Sequence, residues 1–179
     1  MSYGWEGEKV RLVPLDKSKH FENALVWMND PETTKWLLVG DLPITRLVEE
    51  DFFEKAMRPD STQVSFAIET LDGEHIGFCG LFGIDWKHGT TQSGTVIGPQ
   101  QFRSRGYGTD ALKVRIRYAF EVLGLRLLLT EAMSENIASR KALQKAGYRE
   151  VAEIPKRYWR RGAHRDVTLF ILPRDDWDP

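Results

Sequence analysis

A short basic loop with two glycines, at residues 101–109 (QFRSRGYGT), constrains the fold of this chain more than any other segment. Residues 94–97 (GTVI) before it have the β-branched character of a strand. The apolar residues after it recur at the spacing of a core-facing helix: Leu112, Ile116, Ala119, Phe120 and Leu123. The pattern predicts a strand, a turn and a helix, with the loop at the start of the helix.

The composition of this loop favours a bound pyrophosphate. Gly106 and Gly108 lack a Cβ atom, so the backbone can turn sharply and approach a ligand closely. Free N–H groups and the positive dipole end at the start of a helix attract phosphate. Arg103 and Arg105 add guanidinium groups that can bind phosphate oxygens in pairs. We therefore call residues 101–109 the phosphate loop.

Two common phosphate-binding motifs can be compared with this loop. The P-loop has Lys-Ser or Lys-Thr after its second glycine, and neither glycine here is followed by such a pair, so that motif is excluded. The dinucleotide fingerprint G-x-G-x-x-G/A fits Gly106, Gly108 and Ala111, and Glu131 stands about 20 residues further on, as a ribose-binding acid would. However, residues 98–105 separate the strand from the first glycine. A nicotinamide-dependent enzyme is therefore the weaker alternative.

Several motifs in the second half of the chain resemble those of one family. Residues 103–108 match the pattern R/Q-x-x-G-x-G/A. Further motifs surround it: IGP at 97–99, YAF at 118–120, NIAS at 136–139, KAGY at 145–148 and LPRDDW at 172–177. Together they resemble the GCN5-related N-acetyltransferase (GNAT) superfamily, in the branch that contains ribosomal-protein N-terminal acetyltransferases and spermidine acetyltransferases.

The local patterns and the resemblance agree on the fold class. Strand-like runs at residues 63–71, 75–84 and 90–98 predict an antiparallel meander, and Asp72-Gly73 is a strong hairpin signal. The resemblance implies an α/β (α+β) fold: a mixed, mostly antiparallel central sheet, splayed at the cofactor site, with helices on both faces. A chain of 179 residues with 41% hydrophobic content predicts a single domain, residues 1–179.

Capping residues mark the ends of three helices. They are Asp16, Thr45, Asn136 and Gly147. The helix after Thr45 is expected to carry Val48, Phe52 and Ala56 on one face, with Phe53 and Met57 beside them. Its acids are expected to form a solvated face, with attraction of a cationic amine as the other interpretation: Glu49, Glu50, Asp51 and Glu54.

Charge and composition narrow the partners. A net charge of −1 argues against a general nucleic-acid binder. No secretory signal or membrane-spanning apolar run is visible. The single Cys79 cannot form an internal disulfide and is expected to be buried, which is consistent with a cytoplasmic protein. The four histidines have no ligand spacing, so we expect no metal. A homodimer is left open.

The resemblance implies that acetyl-coenzyme A (acetyl-CoA) is the co-substrate. Its pantetheine arm is expected to bind like an extra strand between the strand before the phosphate loop and the strand after the central helix. One backbone N–H there would stabilise the oxyanion of the reaction. The residues implied for cofactor binding are Thr95, Val96, Ile97, Arg103, Ser104, Arg105, Gly106, Tyr107, Gly108, Thr109, Asn136, Ser139 and Arg140.

The implied reaction is direct attack by a primary amine, either a protein N-terminus or a small amine such as a polyamine. A lysine-like amine, with pKa near 10.4, lies about 4.6 kcal/mol from its free-base form at pH 7, whereas an α-amine lies about 1.4 kcal/mol away. The thiolate leaving group, with a thiol pKa of about 8.5, lies roughly 2 kcal/mol above its protonated form at pH 7. A base is therefore the larger need for a polyamine, and the acid is dispensable at modest cost.

The candidate catalytic residues differ from those common in the family. Many relatives carry a proton-donating tyrosine where this chain has Leu143, and a glutamate where it has Gln92. Glu131 is the leading replacement as general base, with an ordinary ion-paired carboxylate as the alternative interpretation. Ser139 can donate a proton directly or through water. Tyr158 is a candidate for acceptor binding or proton relay. A non-catalytic acyl-CoA-binding module is the alternative function.

Overall fold

The computed structural model describes residues 5–178, which form a seven-stranded sheet in the order β1-β2-β3-β4-β5-β7-β6. The elements are β1 (Val10–Pro14), α1 (Lys17–Met28), α2 (Pro31–Thr34), α3 (Arg46–Ala56), β2 (Gln63–Thr70), β3 (His75–Asp85), β4 (Thr90–Ile97), α4 (Tyr107–Arg117), β5 (Leu127–Met133), α5 (Ile137–Lys145), β6 (Arg149–Arg160) and β7 (Ala163–Pro173). A π-helical turn, Tyr118–Val122, extends α4. No helix in this part of the chain is long and apolar enough to cross a membrane.

The sheet is mixed, and one pair of strands makes it so. All neighbouring strands are antiparallel except β4 and β5, which are parallel. The β4–β5 ladder runs only from Thr90 and Leu127 to Gln92 and Leu129. Beyond these residues the two strands separate and leave a V-shaped opening. The predicted fold class, a mostly antiparallel sheet splayed at one point, is confirmed.

Helices cover both faces of the sheet because α4 is apolar on a broad face and β3 has buried side chains on both of its sides. From α4, Leu112 and Ile116 pack into one hydrophobic cluster, whereas Ala111 and Val114 pack into a second one beside β1 and β2. Phe78 of β3 instead contacts the cluster formed by α1 and α3. Burial of these apolar faces supplies the main stabilisation of the fold.

The expected capping residues begin and end the helices as local chemistry predicts. Asp16 accepts a hydrogen bond from Ser18 N at 2.9 Å and begins α1. Thr45 begins α3 and Asn136 begins α5, each through its side-chain oxygen. Gly147 follows α5 with a φ of +100°, the left-handed conformation that ends many helices.

Helix α3 buries the side that carries Phe53 rather than the face that carries Val48 and Phe52. Val48 and Phe52 are both 51% exposed, whereas Glu49 is 5% and Phe53 is 0% exposed. The reason is tertiary: Phe53 packs edge-on against Phe21 of α1, with ring centroids 5.5 Å apart. Burial also raises the pKa of Glu49, so this acid does not belong to a solvated face.

A short helix, α2, follows α1 and begins after Asp30. Asp30 accepts a hydrogen bond from Thr33 N at 2.9 Å, and Pro31 follows it at the first helical position. A capping aspartate followed by proline is a common helix start. This turn brings Trp36 towards the opening between β4 and β5.

Candidate active site

A cleft of about 600 Å³ opens where β4 and β5 separate. Four segments line it: the end of β4, the phosphate loop with the start of α4, residues 130–132 of β5, and the cleft-facing side of α5. Thr33, Trp36 and Leu37 close one end. The segments expected from the sequence to surround a cofactor therefore lie around one cavity.

Two side chains form hydrogen bonds at the vertex of the V, where the β4–β5 ladder ends. Thr130 Oγ1 donates to Ser93 O at 2.9 Å, and Ser93 Oγ donates to Leu129 O at 3.4 Å. These bonds replace backbone pairing at the point where the strands part. No motif in the sequence indicates this role for either residue.

Beyond Ser93, β4 presents an open backbone edge to the cleft. Gly98 N donates to Ile76 O at 2.9 Å, which fixes the residues of β4 that bond to β3. Because antiparallel pairing alternates along a strand, Thr95 and Ile97 turn their backbone groups to the open edge and Val96 turns its groups to β3. Two of the three predicted strand residues thus offer backbone groups to an arm lying in the V.

Arg115 of α4 lies fully buried beneath this edge, with 0% exposure. Its Nη1 donates to Thr95 Oγ1 at 2.6 Å and to Gly94 O. Cys79 of β3 lies beside the guanidinium, and burial raises the pKa of its thiol to about 11, as befits a buried residue rather than a nucleophile. Arg115 was missed, although it stands three residues after Leu112 on the core face of the helix.

The phosphate loop is held to the end of β4 by Arg103. The guanidinium donates from Nε to Ile97 O at 3.1 Å and from Nη2 to Thr33 Oγ1 at 2.7 Å and to Gly98 O. Gly106 begins α4 with a φ of +89°, so its conformation suits glycine. Arg103 lines the cleft, but these bonds direct its charge to the protein's own carbonyls.

The other predicted loop and helix residues divide into two groups. Ser104, Gly106, Gly108 and Thr109 line the cleft. Arg105 is exposed outside it, and Tyr107 packs edge-on against Phe102 with ring centroids 5.1 Å apart.

Helix α5 presents amide, hydroxyl and cationic groups to the cleft. Asn136 and Ser139 line the cleft, and Leu143, at 4% exposure, lines it where many relatives carry tyrosine. Arg140 instead donates to Glu150 Oε2 at 3.0 Å and does not line the cavity. Lys141 and Lys145 line it and supply the positive charge on this side.

The two remaining catalytic candidates are joined by a hydrogen bond. The Tyr158 hydroxyl of β6 donates to Glu131 Oε1 of β5, and Glu131 lines the cleft. Burial and this bond to a carboxylate raise the pKa of Tyr158 above its usual value. The phenol is therefore protonated at neutral pH, so it can donate to Glu131 and leaves the other carboxylate oxygen to a further partner.

Within residues 5–178, no group of three or more histidine, cysteine, aspartate or glutamate side chains is arranged to hold a metal ion.

Comparison with known proteins gives the family. Residues 9–149 match the family model described as the acetyltransferase (GNAT) domain. A putative ribosomal N-acetyltransferase, YdaF of Bacillus subtilis, is 24% identical over 176 residues, covering 94% of this chain and 92% of the relative. The spermidine N(1)-acetyltransferase of Escherichia coli K12 is 27% identical over 164 residues, covering 91% of this chain and 85% of the relative.

The fold has solved counterparts. The spermidine N-acetyltransferase from Vibrio cholerae, solved with CoA and spermine, superposes with a TM-score of 0.84 at 16% identity, over 93% of this chain and 96% of that one. A family match over most of the chain, with a cleft at the splayed strands, is decisive. The chain belongs to the GNAT family and is an N-acetyltransferase.

Proposed function

We propose that this protein transfers the acetyl group of acetyl-CoA to a primary amine whose proton is taken by Glu131. The observation that carries the proposal is the Glu131–Tyr158 hydrogen bond beside the open edge of β4. A carboxylate oriented by a neutral phenol and facing a cleft is the arrangement expected of a general base.

The residues around the cleft fit acetyl-CoA. The open backbone edge, with the N–H and C=O of Thr95 and the N–H of Ile97, suits the amides of a pantetheine arm, which need both donors and acceptors. Free N–H groups at the start of α4 and the cations Lys141 and Lys145 suit its phosphates. Acetyl-CoA would supply the activated acetyl group as a thioester. Asn136 is proposed as a further contact of the arm.

The proposed reaction replaces the carbon–sulfur bond of the thioester with a carbon–nitrogen bond. The amine nitrogen bonds to the acetyl carbon, the carbon–sulfur bond breaks, and the proton of the amine passes to Glu131. For a lysine-like amine the free base lies about 4.6 kcal/mol above the ammonium form at pH 7, so removal of the amine proton is where a base is needed most. The thiolate takes its proton from water or from Ser139, which lines the cleft. Leu143 cannot donate one.

The names of the relatives support an amine acceptor. One is named for spermidine and another for a ribosomal N-acetyltransferase, and both kinds of name imply a free amine. The non-catalytic binding module has less support, because it gives no reason for Glu131 to face the cleft.

We also propose a cytoplasmic protein of a single domain, residues 1–179, that acts without direct nucleic-acid or membrane partners. The buried Cys79 and the net charge of −1 support this. A homodimer is consistent with the proposal but is not needed for it.

Release of free thiol from acetyl-CoA, measured with a panel of amines, tests the proposed function. We expect at least one amine to raise thiol release well above hydrolysis, and CoA but not a nicotinamide dinucleotide to raise the melting temperature. Binding of CoA without acceleration by any amine, including ribosomal N-terminal peptides, would favour the binding module. A shift with dinucleotide alone would favour a nicotinamide enzyme.

A further inference from the structure

A second cavity, of about 160 Å³, lies between helix α2 and the turn that joins β6 to β7. We propose that it binds an anionic group of the acceptor, so that the preferred substrates are amines that also carry a carboxylate. This inference rests on the proposed function and specifies its acceptor. The cavity is lined by Glu32, Lys35, Trp36, Arg160, Arg161 and Arg165.

Arg160 contributes a buried guanidinium group to the wall of this cavity. It is only 5% exposed, and its Nη2 donates to Asp41 Oδ1 at 2.7 Å and to Val39 O at 3.1 Å. Its Nε and Nη1 are buried and have no hydrogen-bond partner among residues 5–178. A buried donor without a partner costs about 1–3 kcal/mol. A carboxylate in the cavity would form charge-assisted bonds with the guanidinium and ammonium groups that line it.

The charges around the cavity favour an anion. Four of the lining residues are cationic and one, Glu32, is acidic. Two further carboxylates pair with these cations: Asp41 with Arg160 and Arg161, and Glu135 with Arg165. Four positive charges therefore face three negative ones, which leaves an excess of one positive charge around the cavity.

The cavity is connected to the proposed catalytic centre. Trp36 lines both this cavity and the large cleft. Arg160 stands two residues after Tyr158 on β6, where the pairing with β7 is regular. Side chains two apart on a strand share a face and lie roughly 6.6 Å apart. A bound carboxylate would therefore hold an acceptor whose amine reaches towards Glu131.

This site argues against a polyamine as the preferred acceptor. The second ammonium group of a diamine would approach Arg160 and Arg161, and like charges at a desolvated site repel each other. An amine that ends in a carboxylate would find paired donors at the same place. The chemistry is shared by small amino acids and by peptides with an acidic side chain near the N-terminus.

Matched pairs of acceptors test the inference. One pair is aminohexanoate and diaminohexane, which have the same chain length and opposite end charges. The other is Ala-Ala-Glu and Ala-Ala-Lys, both with an amidated C-terminus, so that the side chain is the only charge that differs between the two peptides. We expect kcat/KM to be higher by about tenfold or more for the carboxylate member of at least one pair. The pair with the larger ratio identifies the source, small molecule or peptide.

Variants connect the preference to the cavity. Arg161→Gln and Arg165→Gln should each reduce the carboxylate-to-ammonium ratio to within about threefold of unity. Arg174→Gln, which removes an exposed arginine outside the cavity, should leave the ratio unchanged. A wild-type ratio of one or less overturns the inference, and so does a ratio that survives both cavity variants.

An independent readout separates this inference from the proposed function. If no amine releases thiol, the proposed function fails, but the anion site can still be tested with glutarate, a dicarboxylate without an amine. A glutarate-dependent rise in melting temperature that Arg161→Gln abolishes would support the site. The absence of any such rise in the folded wild-type protein would overturn it.

Discussion

The Tyr158 hydroxyl on β6 donates a hydrogen bond to Glu131 Oε1 on β5, across the full width of β7, which lies between the two strands. The bond joins a group at the cleft to a strand at the sheet edge. It orients the carboxylate without neutralising it, because the raised pKa of Tyr158 keeps the phenol protonated at neutral pH. We therefore expect separable contributions from the two residues, with Glu131 as the proposed base and Tyr158 as the residue that positions it.

Glu131→Gln removes the proposed base while it preserves the shape of the side chain. With a polyamine-like or lysine-like amine we expect kcat at pH 7 to fall by about 10²–10⁴-fold, the usual contribution of a general base. The rate of the variant should keep rising with pH, because more of the amine is then unprotonated. A pH–rate profile from pH 6 to about pH 10 measures this.

Glu153→Gln is the matched control, because Glu153 is an exposed carboxylate of β6 outside the cleft. It should leave both the rate and the profile unchanged. Wild-type activity in Glu131→Gln across the whole profile would transfer the role of base to another group or to water.

Tyr158→Phe should have a smaller effect than Glu131→Gln. The carboxylate remains but loses the donor that orients it, so we expect kcat to fall by about tenfold, in line with the loss of one hydrogen bond to a charged group. CoA affinity, measured by calorimetry, should not change. A fall as large as that of Glu131→Gln would mean that the phenol itself transfers the proton.

Local sequence predicted the elements of this fold better than their packing. Asp16 and Thr45 begin their helices because a cap is a bond between near neighbours. Local sequence did not predict which side of α3 is buried, because the side of a short amphipathic helix that meets α1 depends on tertiary contacts. Apolar periodicity offered Val48 and Phe53 as nearly equivalent, and packing against Phe21 decided between them.

The candidate site shows the same division. The motif predicted that Gly106 and Gly108 lie at the start of a helix, and they do, because a turn into a helix depends on near neighbours in the sequence. The bond between Glu131 and Tyr158 was not predictable, since it depends on β7 being inserted between β5 and β6. Arg103 was expected to point at phosphate, whereas three oxygen atoms of its own chain hold it. Sequence motifs identify residue types, and topology determines their partners.

Gly108→Glu tests the phosphate loop with little backbone strain. A Cβ at Gly108 would stand 3.6 Å from Ile97 Cγ1, an ordinary contact, whereas Gly106 has a φ of +89° that strains any other residue. The new carboxylate would occupy the region proposed for phosphate. We expect CoA affinity to fall by about 100-fold or more. The negative glutamate side chain would repel the phosphate and compete with it for the N–H groups at the start of α4.

Gly108→Ala is the control, and it should retain both the melting temperature and CoA affinity within about threefold, because alanine suits a helix. Calorimetric titration with CoA compares the two variants. If Gly108→Glu bound CoA as the wild type does, the phosphate loop would have no part in cofactor binding.

Arg103 and Arg105 stand two residues apart in the motif, but their substitutions should differ in effect. Arg103→Gln breaks several bonds that hold the loop, so we expect a loss of about 2 kcal/mol in unfolding free energy together with weaker CoA binding. Arg105→Gln changes an exposed residue and should alter stability by less than about 0.5 kcal/mol. Urea unfolding and CoA titration of both variants measure the difference. Equal stability of the two variants would contradict a structural role for Arg103.

Stability should depend on pH through His75, which is buried against α1. Burial, and the nearby His20 ring, lower the pKa of His75 to about 4. Its Nε2 lies 3.1 Å from Gly77 O and its Nδ1 lies 3.1 Å from Asn23 Nδ2. A carbonyl can only accept, so Nε2 carries the hydrogen and Nδ1 accepts from the amide. Protonation would place a second hydrogen at Nδ1 against a donor.

The sign of the pH effect follows from this lowered pKa. The unfolded chain, with an ordinary histidine pKa near 6.5, binds a proton before the folded protein does, so stability is present above about pH 6.5 and is lost as the pH falls towards 4. Between pH 7 and pH 5 we expect His75 to contribute a loss of about 2 kcal/mol in unfolding free energy. Glu49, whose pKa is raised by burial, acts in the opposite direction, because the folded protein then binds its proton before the unfolded chain does. Urea unfolding of the wild type and of His75→Gln at both pH values isolates the histidine, because the variant should lack this part of the pH dependence.

His88→Gln is the control, because it changes an exposed histidine and should keep the pH dependence of the wild type. An identical pH dependence in the wild type and in His75→Gln would show that His75 has the same proton affinity in the folded and unfolded states.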